Sequence, residues 1–132
     1  MEVYYVKTRD KNDLDEEQRQ KNEKIFARKL DMADAPPLRE IVSDMMYTVK
    51  TAESAKLART IVEKGAHYAG IPNRGARACR FFVVRNTLVP AVLVEVGYLT
   101  NRHEEKRLNS SGYRQKIAEA IARSIVSYAT DS

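Results

Sequence analysis

The chain has 132 residues, 43% hydrophobic and 31% charged, with a formal net charge of +5; that size suits one domain, residues 1–132, able to bury a core without disulfide or metal staples. A single cysteine, Cys79, excludes an intrachain disulfide and a thiolate cluster, and two histidines, His67 and His103, leave little for a self-contained metal site. No apolar run is long enough to span a bilayer and no signal-peptide pattern precedes the first strand, so a soluble chain without an export signal is expected.

The charge is uneven: residues 1–66 hold 13 Lys+Arg and 13 Asp+Glu, whereas residues 67–132 hold 10 and 5. A solvated basic surface is expected, with no nucleic acid as partner, because the tyrosines are not interleaved with the basic residues as a stacking platform requires.

Glu2 to Val6, EVYYV, predicts a strand beginning almost at Met1. A domain seldom opens on a core strand, so the chain is expected to be a piece of something longer. Lys7 to Asp13 is a polar loop, and Leu14 to about Ala33 is helical, charged early and apolar late at Ile25, Phe26 and Leu30. Asp34 reads as an N-cap, with Pro36 and Pro37 in the first turn of the next helix. There Leu38, Ile41, Val42, Met45, Met46 and Val49 recur at helical spacing and predict a core-packed stripe. Thr51 reads as the cap of a further helix with Ala55, Ala58, Ile61 and Val62 inside and Gly65 as its C′ residue. Gly65 to Ala78 reads as a long loop.

Arg80 to Arg85, RFFVVR, predicts the second strand and Ala91 to Glu95 the third. Asn101, with Glu104 three residues on, caps a short helix from His103 to Leu108. Ser110 or Ser111 starts the last helix, with Ile117, Ala118, Ile121, Ala122, Ile125 and Tyr128 as its buried stripe. The loop from Asn86 to Pro90 is too short for a crossover helix, so the last two strands pair antiparallel or share a mixed sheet. The fold class is α/β, a truncated mixed sheet of about three strands packed with about five helices. Three strands are few for that much helix, so one face or edge of the sheet needs a cover.

VPAVLVEVGYLTN, Val89 to Asn101, sets an ionisable group, Glu95, at the end of an apolar strand. Such a carboxylate loses hydration and needs a reason to be there. One reading pairs it with Arg74, Arg77, Arg80 or Arg85. A metal-ligand reading lacks companions nearby. A general-base reading suits its place, since strand ends in α/β sheets open into the ligand crevice.

The segment from Asn73 to Tyr128 closely resembles the C-terminal part of the zinc-dependent N-acetylmuramoyl-L-alanine amidases. The matching signals are the NRG loop, a strand ending in VVR, Pro90 leading into AVLVEVGYLTN, then EE before a short helix, and YRQKIAEAIARSI. Upstream, TAESAKLARTIV is similar to a family helix and EVYYV to the strand after the family's last zinc histidine; the likeness is weakest over Lys7 to Pro37.

The resemblance implies cleavage of the amide between N-acetylmuramic acid and L-alanine in peptidoglycan, outside the cytoplasm, in the periplasm or the extracellular space. It makes Glu95 the catalytic glutamate, taking a proton from zinc-bound water and passing it to the departing amine. Arg85 and Asn86, leading to that strand, are candidate substrate contacts. The family's zinc ligands, one His in a DPGHGG-type loop, a Glu, and a second His in an SIHAN-type strand end, have no counterpart in this sequence, and His67 and His103 match neither position. The chain alone is therefore expected to bind no zinc and to be inactive. It is expected to be the C-terminal part of an amidase catalytic domain, covering its exposed sheet by forming a homo-oligomer or swapped dimer. The alternative is a non-catalytic module on the same scaffold that binds muropeptides or another partner.

Overall fold

The computed structural model describes residues 1–7, 21, 24–25, 36–85 and 87–131. The loop from Lys7 to Asp13 and the helix from Leu14 to Ala33 lie almost wholly outside the described residues, and the Asp34 cap does so entirely.

Strand β1 (Glu2–Val6) is the centre of a mixed sheet of order β2-β1-β3. β2 (Ala76–Cys79) runs parallel to β1, with Val3 beside Ala76 and Val6 beside Cys79. β3 (Val92–Glu95) runs antiparallel, with Glu2 opposite Glu95 and Tyr5 opposite Val92. Helices α1 (Pro36–Thr60), α2 (Ala66–Ala69), α3 (Phe82–Arg85), α4 (Arg102–Leu108) and α5 (Ser111–Thr130) complete the α/β fold expected from the sequence.

Alternation along β1 sends Val3 and Tyr5 to one face of the sheet, with Ala76, Val92 and Val94. That face packs on Ala58, Ile61, Val62, Ala66, Ile117 and Ala120 from the long helices, and it is the main apolar core. The other face carries Glu2, Tyr4, Arg77, Leu93 and Glu95. The sheet therefore has an apolar side that holds the main core and a second side that carries Glu2 and Glu95 at one end and buried Val6 at the other.

Several expectations are corrected. Thr51 caps nothing: α1 runs straight through it, and its hydroxyl donates back to the Tyr47 carbonyl at 2.9 Å. Nor does the helix end at Gly65, which sits in a π-helical turn, Ile61–Gly65, leading directly into α2. A Cβ at Gly65 would lie 3.2 Å from Ser124 Oγ and 3.3 Å from Met1 Sδ, so the small residue serves close packing. Gly70 is the true C′ residue, left-handed at φ 65°.

The second strand lies at Ala76–Cys79, and most of RFFVVR forms the turn of α3. Local β-propensity is overridden by contacts: Val84 is buried, Phe81 meets Tyr4 edge-on, and Lys50 holds the Val84 and Arg85 carbonyls. In α5 the buried residues are Ile117, Ala120 and Ser124, while Ala118, Ala122 and Ile125 are exposed. The stripe is thus rotated from the expected one, because Ser124 bonds the Ala120 carbonyl at 2.7 Å and can be buried. The apolar stripe at the start of α1 is also exposed, Met45 at 63% and Val49 at 61%, with Val42 half-buried. The described core lies against the other end of that helix.

Candidate active site around Glu95

Glu95 ends β3 on the polar face, half-buried and directly across from Glu2. Opposed residues on antiparallel strands hold their Cβ atoms about 5 Å apart, and like charges there repel. Glu2 offsets this with partners from three elements. The Tyr98 hydroxyl donates to its Oε2 at 2.7 Å, Arg77 Nε lies 2.5 Å from its Oε1, and the Tyr4 hydroxyl also hydrogen-bonds it. The Tyr98 bond does most to hold the Glu2 carboxyl below the usual carboxylate range, against the opposing effect of burial. Reciprocally, that bond pushes the Tyr98 phenol up, and burial does the same for Tyr4, with Glu2 and Glu95 adding to both.

The loop after β3 is clamped from outside. Glu104 in the first turn of α4 accepts from Tyr98 N at 2.7 Å and takes both Arg74 Nη groups, at 2.5 and 3.3 Å. Arg74 lowers the Glu104 carboxyl to about 2, helped by the Tyr98 amide, and stacks over the Tyr98 ring at 4.8 Å. A Cβ on Gly97 would meet Glu104 Oε2 at 3.0 Å and Leu108 Cδ1 at 3.3 Å, so glycine lets the Glu104 clamp lie close against this loop. Asn101 caps α4 as expected, accepting from His103 N and Glu104 N, but the Glu104 side chain is spent on the clamp.

The sequence offers four arginines, Arg74, Arg77, Arg80 and Arg85, as partners for Glu95. Arg74 goes to Glu104 and Arg77 to Glu2, and among the described residues no guanidinium or ammonium pairs with Glu95. Arg85 lies at the other end of the sheet, its guanidinium over the Phe82 ring at 5.7 Å and its Nε buried without a hydrogen-bond partner. The structure does not bring it together with Glu95. Asn86 lies outside the described residues. His67 is exposed beside Tyr68, and His103 is exposed in the first turn of α4. Among the described residues no three His, Cys, Asp or Glu side chains converge to hold a metal ion.

Sequence reasoning missed Glu2 as the neighbour of Glu95. The available signal was a second carboxylate at the end of an apolar strand, and only the antiparallel register joins the two.

The N-acetylmuramoyl-L-alanine amidase family model matches residues 1–127. The chain belongs to that amidase family. It is 34% identical over 91 residues to the N-acetylmuramoyl-L-alanine amidase AmiA of Escherichia coli, covering 69% of this chain and 32% of AmiA. It is 36% identical over 81 residues to the N-acetylmuramoyl-L-alanine amidase LytC of Bacillus subtilis, 61% of this chain and 16% of LytC. Over 72 residues it is 36% identical to the probable cell wall amidase LytH of Staphylococcus epidermidis, 54% of this chain and 25% of LytH. The amidase-family chain thus spans about a third or less of these relatives. No solved structure matches it. Among the described residues no helix is long and apolar enough to cross a membrane.

Proposed function

We propose that this chain forms the C-terminal part of a peptidoglycan amidase catalytic domain, acting in the periplasm or outside the cell on the amide between N-acetylmuramic acid and L-alanine. Glu95 is the general base: it accepts a proton from the attacking water and hands it to the leaving nitrogen. The observation that carries this is a half-buried carboxylate on the polar face, with no cation on it among the described residues. A glutamate kept for structure at this place would be expected to hold an arginine such as Arg74 or Arg77, which pair instead with Glu104 and Glu2. The family's zinc and its ligands are taken to come from the preceding part of the domain. Residues 1–132 act as one folding unit that self-associates when separated from that part.

The test is reconstitution. The chain mixed with the family's N-terminal zinc-binding half and Zn²⁺ is expected to release L-alanyl peptides from purified peptidoglycan, and Glu95→Gln to stop release without loss of folding. Binding of muropeptides with no release in any mixture would overturn the reading in favour of a non-catalytic module.

A further inference from the structure

The guanidinium of Arg77 is held on one side only. Its Nε sits 2.5 Å from Glu2 Oε1, yet the side chain is 64% exposed against 6% for Glu2. Among the described residues its Nη groups have no protein partner. A buried carboxylate therefore aims an arginine whose outer edge points into solvent. That edge is the planar fork that takes a carboxylate with two parallel bonds.

Register fixes where the fork stands. Arg77 lies beside Tyr4 on β1, and Glu95 lies opposite Glu2, two residues further along on the far side. With strands about 4.8 Å apart and about 3.3 Å per residue, the two Cα atoms are about 12 Å apart. A guanidinium reaching back to Glu2 closes much of that gap, leaving about one to three residues of extended peptide between fork and base. The same face otherwise bears the two anions and the Tyr4 and Tyr98 phenols, while Arg74 is committed to Glu104. An anionic peptide approaching Glu95 would meet repulsion were Arg77 not there.

We propose that Arg77, aligned by Glu2, binds a free carboxylate of the stem peptide within three residues of the scissile amide. The proposal rests on the amidase reading of Glu95. Arg77 sets specificity and Glu2 is its positioning residue.

The test uses the full chain and two probes, N-acetylmuramoyl-L-alanyl-D-glutamate and the same compound with its peptide carboxylates amidated, measured by titration at fixed ionic strength. The wild-type chain is expected to favour the acid by about fivefold, the range of an exposed charged pair. Arg77→Gln is expected to bring the ratio to within about twofold of unity. Arg77→Lys, which keeps the charge and loses the fork, should give an intermediate ratio and carries the test if the Gln variant does not fold. A wild-type chain that binds neither probe, or shows no preference, overturns the proposal. So does a preference unchanged in both variants. Glu95→Gln separates the two ideas: it should keep the acid-to-amide ratio while stopping turnover in the reconstituted enzyme. If turnover survives, the role of Glu95 falls, and the ratio still decides Arg77.

Discussion

The two ends of the sheet handle buried charge in opposite ways. At the Glu2–Glu95 end, the Glu2 carboxylate is held by Tyr98, Tyr4 and Arg77, while among the described residues no cation pairs with Glu95. At the Val6–Cys79 end a buried cation, Lys50, is committed to the scaffold. Lys50, only 4% exposed, donates to the Val84 carbonyl at 3.1 Å and the Arg85 carbonyl at 2.8 Å. Those are the orphan carbonyls of a four-residue helix that cannot satisfy its own C-terminus. The difference teaches that burial of a charge does not mark a working site. What matters is whether its hydrogen-bonding capacity is used up.

The largest expected effect falls at the acidic end. Glu95→Gln should cost the reconstituted enzyme about 10²–10⁴ in turnover, the usual contribution of a general base, while the thermal midpoint of the chain stays put. Lys50→Ala should do the reverse. It takes the Lys50 donor from the Arg85 carbonyl and leaves the Val84 carbonyl only the Thr87 hydroxyl at 3.3 Å, and is expected to destabilise the chain by about 1–3 kcal/mol, with turnover per folded molecule unchanged. If thermal melts show Lys50→Ala neutral and Glu95→Gln unfolding, the contrast between the ends is wrong.

A pH series sharpens the contrast. Burial lowers the Lys50 ammonium to about 8 from an ordinary 10.5. The folded chain then holds fewer protons than the unfolded chain between those values, so stability rises from about pH 8 toward 10.5. The Tyr128 phenol, donating to Glu53 at 2.5 Å, is pushed up to about 12 from 10.0. There the folded chain keeps a proton the unfolded one releases, so stability present below pH 10 is lost as pH rises to about 12. Lys50→Met should remove the rising limb and leave the falling one. At the acidic end stability again rises with pH, as it does for Lys50, but in a lower window. Glu104, lowered from 4.5 to about 2, contributes stability above pH 4.5 that is lost as pH falls to about 2, and Arg74→Met should move that loss to higher pH.

Much of this was legible in the sequence. EVYYV and AVLVE gave strands because β-branched runs bounded by turns have few other uses, and Asn101 announced α4 through its cap. Glu95 was visible as a carboxylate ending an apolar run. What local pattern could not show was whatever depends on partners distant in sequence. RFFVVR has strand composition but turns helical because Lys50, 34 residues away from Val84, holds its carbonyls. Thr51 has the chemistry of a cap and spends it inside a continuous helix. Glu2 and Arg77 became part of the candidate site only through the register of β1 with its two neighbours.

The smallest expected effect on stability is at the start of α1. Ile41, Met45 and Val49 lie at helical spacing on one exposed face, where lysine neither opens a cavity nor buries a charge. Met45→Lys and Val49→Lys should each change stability by about 0.5 kcal/mol or less, whereas a change at buried Ile61, such as Ile61→Ala, should cost about 2–5 kcal/mol. If this stripe holds the chain in its proposed self-associated form, the double lysine variant should sediment as a smaller species than wild type at the same concentration, with the same melting midpoint when both are dilute. A variant that melts several degrees lower when dilute would mean that the stripe belongs to the core of a single chain, and the burial pattern along α1 would have to be redrawn.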